Sequence, residues 1–121
     1  MYACAMTQST QWLTIPDFAQ ALGLEPGDIR DKLRERKIVA MRRGPHDTWQ
    51  IPADFIIPGA VSPHIIPTLR GTLTLLADAG FSDEEAIEWL SAPAEALGMT
   101  PLESLRAGHR APVRRLAQAL L

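Results

Sequence analysis

The sequence predicts a mainly α fold with a small β-hairpin, followed by a helical subdomain. Three observations predict it. Apolar residues recur at helical spacing along most of the chain, as in Ile15, Phe18, Ala19 and Leu22. Start and stop signals bound those stretches, with Thr14, Ser82 and Thr100 as caps and Gly23, Gly80 and Gly108 as terminators. Alternating patterning is concentrated between residues 38 and 51, on either side of a turn-forming GPHDT segment.

Each element follows in order. Residues 11–13 suit a short strand. Thr14 caps the first helix, and Asp17 three positions on closes a capping box. Gly23 ends that helix, and Pro26 occupies the first turn of the next, where its missing N–H costs nothing. Ile29 and Leu33 form the inward stripe of this second helix, which should fade near Lys37. In residues 38–43, Val39 and Met41 point one way while Ala40 and Arg42 point the other. Residues 44–48 turn the chain, Trp49 and Ile51 flank Gln50 in a second alternating run, and Pro52 stops it. Helix, tight turn, helix and hairpin in this order make a winged helix-turn-helix.

Residues 54–57 suit a helical turn. Pro58, Pro63 and Pro67 then punctuate an apolar, irregular connector that packs on the protein. The rest is helical. Leu69, Leu73 and Leu76 share a face; Ser82 and Glu85 form a capping box ahead of Ala86, Ile87 and Leu90. Thr100, Pro101 and Glu103 start another helix, and Pro112 opens the last, with Val113, Leu116 and Leu120 on one side. The predicted organisation is a loose segment at 1–10, a winged helix-turn-helix at 11–57, a connector at 58–66 and a helical subdomain at 67–121.

Charge is segregated. The chain has 121 residues and a formal net charge of −2, yet seven of its twelve basic residues fall between Arg30 and Arg43. They are Arg30, Lys32, Arg34, Arg36, Lys37, Arg42 and Arg43, against Asp31 and Glu35 alone. Residues 71–105 hold seven acids and no base, and the last sixteen regain Arg106, Arg110, Arg114 and Arg115. So concentrated a cationic stretch suits an anionic polymer.

Other classes find little support. His46, His64 and His109 lie far apart, and no metal-binding spacing, glycine-rich phosphate loop or nucleophile motif occurs. No enzyme activity, cofactor or metal is expected. Cys4 is the lone cysteine, no apolar run is long enough for a membrane span, and the N-terminus lacks signal-peptide features. These readings lead to a soluble cytoplasmic protein. Thr7, Ser9 and Thr10 are candidate phosphorylation sites by residue type and expected exposure alone.

Residues 12–55, WLTIPDFAQALGLEPGDIRDKLRERKIVAMRRGPHDTWQIPADF, resemble the winged helix-turn-helix of the excisionase and MerR-like families. The likeness rests on the strand-threonine opening, the A-x-x-L-G turn, the L-R-E-x-x-I-V-A passage and the W-x-I-P wing closure. The whole chain resembles a small actinobacterial DNA-binding protein family with this domain first. GFSDEEAIEWLSAP followed by LGMTPLESLRAG is similar, more loosely, to the toxin-binding helices of some bacterial antitoxins. The first resemblance implies double-stranded DNA as partner. The second implies a protein contact, self-association included, through residues 67–121. One departure matters: Glu25, Pro26, Gly27 and Asp28 stand where such readers usually present donors to base edges.

On a helical wheel, Arg30, Arg34 and Lys37 lie on one stripe and Lys32 and Arg36 on the opposite flank. With Arg42 and Arg43 from the wing, these are the candidate phosphate contacts, Arg30, Arg34, Lys37, Arg42 and Arg43 foremost. The expected function is DNA binding with modest sequence specificity, as a transcriptional regulator or accessory factor. The alternative is a protein-interaction module, antitoxin-like or adaptor, whose winged fold engages no DNA. Trp49 is expected as a core plug, Trp89 as either an interface anchor or a core residue. The four C-terminal arginines are expected to pair with acidic residues 83–88, within the chain or across a dimer.

Overall fold

The structure is a computed structural model that describes residues 11–59 and 61–121. The expectations for residues 1–10, including Cys4 and the three hydroxyl residues, lie outside it. Strand β1 (Trp12–Thr14) leads into α1 (Ile15–Leu22), a tight turn, and α2 (Pro26–Arg34). Strands β2 (Met41–Arg43) and β3 (Thr48–Pro52) form the hairpin, with β3 central in a three-stranded antiparallel sheet of order β1-β3-β2. A 3₁₀ turn (Ala53–Phe55) follows, then β4 (Ile56–Ile57) and β5 (His64–Ile65). Helices α3 (Leu69–Asp78), α4 (Asp83–Ser91), α5 (Pro101–Arg106) and α6 (Arg110–Gln118) complete the chain.

The caps are local hydrogen-bonded start and stop signals. Thr14 Oγ1 accepts from the Asp17 N–H at 3.3 Å, so the predicted box at α1 is a one-sided cap. Gly23 takes φ 72 at the end of α1, a left-handed conformation that a Cβ would disfavour. The boxes at α4 and α5 close in both directions, through Ser82 with Glu85 and Thr100 with Glu103.

The hydrophobic core is continuous. Phe18, Ile29, Ile51 and Phe55 from the winged part share one buried cluster with Leu69, Leu73, Leu90 and Val113 from the helical part. Arg106 joins the two by donating to the carbonyls of Asp54 (2.8 Å) and Ile56 (2.6 Å).

Four local expectations differ from the structure. Helix α2 ends at Arg34, and the chain reverses through Arg36 at φ 58. Ile38, Val39 and Ala40 are all buried, and the strand begins only at Met41. Three consecutive apolar residues are here packed on all sides, which overrides alternation. The connector is partly ordered as a β4–β5 pairing, Ile56 with Ile65 and Ile57 with His64. Gly59 sits in its turn, where a Cβ would collide with the Ser62 carbonyl and the His64 ring. Finally, Leu120 lies past the end of α6 and is exposed, while Val113 and Ala117 carry its buried face.

Candidate nucleic-acid interface

The second helix of the helix-turn-helix begins with an acid that has a structural task. Asp28 Oδ2 accepts from the Glu25 N–H at 3.0 Å, satisfying a donor that the helix itself leaves free. The carboxylate also complements the positive end of the helix dipole. Acids at this position therefore follow from capping.

Arg30 and Arg34 are exposed on α2, and Lys32 is half-buried. Among the described residues, Arg30 and Lys32 make no ion pair, whereas Arg34 pairs with Asp31 one turn earlier on the same helix. Beyond the helix, Lys37 Nζ lies 3.2 Å from Glu35, and Arg36 reaches Asp83 at 2.9 Å. Because the helix stops at Arg34, the wheel positions predicted for Arg36 and Lys37 do not hold. Both belong to the turn that leads away from α2.

The wing arginines part company. Arg42 pairs across the hairpin with Trp49, lies over its ring at 4.8 Å from the centroid, and contacts Asp47 at 3.3 Å. Arg43 lies over the Trp12 ring at 4.1 Å. Adjacent strand residues project to opposite faces, so only Arg42 shares the sheet face that looks toward α2. The expectation that both arginines adjoin the helix patch is corrected accordingly. Trp49 is no core plug: it is 46% exposed, and cation–π contact with Arg42 uses its face.

A cleft between α2 and the wing is lined by Arg30, Arg34, Trp49 and Asp83. Trp49 and Asp83 also line a neighbouring cleft with Arg42 and Asp47. Asp83 is the residue that sequence reasoning missed. It lies in the first turn of α4, far along the chain, and no local pattern signals that it meets Arg36.

Four of the seven cations are thus paired with carboxylates. Every partner side chain in these pairs is at least 42% exposed. Exposed pairs are worth roughly 0–1 kcal/mol and can be exchanged for a phosphate. On α2, its turn and the wing, seven cations stand against Asp28, Asp31, Glu35 and Asp47, an excess of three, and Asp83 reaches the same surface from α4. One carboxyl responds: a hydrogen bond from Lys37, and then its charge, hold Glu35 below the ordinary carboxylate range. Arg70 and Lys32 add smaller attractions.

The within-chain pairing expected of the C-terminal arginines is not seen among the described residues. Arg106 donates to backbone carbonyls, and among the described residues none of Arg106, Arg110, Arg114 and Arg115 pairs with α4. Trp89 is half-buried beside Pro101, Leu116 and the exposed Leu120. Among the described residues no group of three or more His, Cys, Asp or Glu could hold a metal ion, and no helix is long and apolar enough to cross a membrane.

Fold and site define a winged helix-turn-helix protein with a helical C-terminal part. Residues 4–56 match the family model described as "DNA-binding protein Rv2175c, wHTH domain", and residues 66–121 match that of the Rv2175c C-terminal domain of unknown function. The chain belongs to the Rv2175c family. It is 31% identical to the "DNA-binding protein Rv2175c" of Mycobacterium tuberculosis, over 88% of this chain and 77% of that protein. The NMR structure of Rv2175c superposes with a TM-score of 0.80 at 28% identity, covering 93% of this chain and 82% of the other.

Proposed function

We propose that this protein binds duplex DNA mainly through phosphates, with modest sequence specificity, as a transcriptional regulator or accessory DNA-binding factor. The carrying observation is the cationic excess on α2, its turn and the wing of a winged helix-turn-helix. In this reading α2 approaches the major groove, and Arg30, Lys32, Arg34, Arg36, Lys37, Arg42 and Arg43 are the phosphate contacts. Membership of a family whose relative is named a DNA-binding protein supports it. The excisionase and MerR-like resemblance supports the docking mode. Asp28 is committed to its cap, so base readout at the helix start is poor and phosphate neutralisation dominates.

The proposed division of labour assigns DNA to residues 11–57 and any self-association or protein partner to residues 67–121, across the 58–66 connector. The half-buried Trp89 beside exposed Leu120 favours a protein contact in the second part. A pure interaction module, antitoxin-like or adaptor, is the second reading, favoured by the four neutralised cations. A duplex titration at two salt concentrations separates them. DNA binding that weakens steeply with salt supports the first; no binding at low salt, with a partner captured through residues 67–121, supports the second.

A further inference from the structure

A groove of ≈ 570 Å³ runs between α3 and α6, and its charged lining is Arg70, Arg110 and Arg114 without any carboxylate. Arg110 and Arg114 are four residues apart on α6 and so share a face. Helix α3 packs on α6 and brings Arg70 opposite them. All three side chains are exposed, and among the described residues none forms an ion pair. Like charges gathered in a lining that holds no carboxylate repel one another, so the arrangement suits an anion.

The location narrows the anion. Helix α4, which packs on α3, reaches the turn at the end of α2 through Asp83 and Arg36. Arg70 is near enough to Glu35 for its charge to act on that carboxyl. The helical part that carries the groove is thus tied directly to the turn after α2. We propose that it is a second phosphate track, taking the backbone of the same duplex that α2 and the wing hold. Guanidinium groups at all three positions suit forked hydrogen bonding to phosphate oxygens. A duplex held by the cations of residues 30–43 brings a polyanion to the same molecule, which favours it over a separate acidic protein. The inference rests on the DNA-binding reading above.

The test is a salt-dependent titration of a long and a short duplex with the full-length chain and with Arg70→Gln/Arg110→Gln/Arg114→Gln. The three side chains are exposed, and a thermal melt checks that the variant keeps its fold. On the long duplex, the variant should lose on the order of tenfold or more in affinity at about 0.1 M salt, and its log–log salt slope should fall by about 2–3. On a duplex trimmed to the region under α2, variant and parent should bind alike. A parent that binds both duplexes while the variant keeps its affinity and slope overturns the groove alone and leaves the DNA-binding reading standing. A parent that binds no duplex at low salt overturns the DNA reading and the groove with it.

Discussion

The guanidinium of Arg36 meets the carboxylate of Asp83 at 2.9 Å, joining the turn after α2 to the first turn of α4. Asp83 also lines the cleft that holds Arg30 and Arg34. The helical part thereby sets a negative charge against the cationic surface of the winged part.

Removing that charge should favour DNA. Asp83→Asn frees Arg36 and ends repulsion of nearby phosphate. Affinity should rise by up to about fivefold, the range allowed by an exposed pair worth roughly 0.2–1 kcal/mol. Fluorescence anisotropy on one duplex at fixed salt measures this. Weaker binding by a variant of unchanged stability would contradict the role given to Asp83.

The wing arginines should act without regard to sequence. Arg42→Ala with Arg43→Ala is expected to weaken specific and scrambled duplexes equally and to reduce the salt slope by about 2. Their opposite faces add a refinement. The Arg42→Ala single variant should carry the larger share, because Arg42 shares the sheet face of Trp49, which lines the α2 cleft. Unchanged affinity of the double variant would remove the wing from the account.

Arg106 is expected to affect stability and leave DNA binding alone. Its head group satisfies the carbonyls of Asp54 and Ile56. Arg106→Ala strands part-buried acceptors and should cost about 1–3 kcal/mol in urea denaturation. A change in salt slope without loss of stability would instead make Arg106 a DNA contact.

Much of the fold was legible because its signals are local. Thr14, Ser82 and Thr100 announce helix starts through bonds to residues three positions away, and Gly23 ends α1 by its own backbone preference. The burial of Ile38, Val39 and Ala40 carries no local signal, because it comes from tertiary packing. The candidate site was legible as composition but only partly as geometry. The basic run located the surface. The helix stop at Arg34, the left-handed Arg36, the partner Asp83 and the split of Arg42 from Arg43 all depend on the folded chain.

Glu35 provides a pH-dependent check on the turn. Its hydrogen bond with Lys37 comes first among the causes that lower its pKa, and burial opposes them. Since the folded carboxyl titrates below its unfolded value, its contribution is present above that unfolded value. It is lost as pH falls through the folded pKa. An NMR titration should find Glu35 below the usual carboxylate range, and Lys37→Ala should move it upward. No movement would assign the shift to some other group.

If the excess cations of α2, its turn and the wing grip a polyphosphate strand, salt must compete with them for the duplex. The most direct measurement is the salt dependence of duplex affinity for the full-length protein, on one candidate and one scrambled sequence. Log affinity should fall steeply and linearly with log salt, nearly in parallel for the two duplexes. A flat salt response, or no binding to either duplex at low salt, would contradict it.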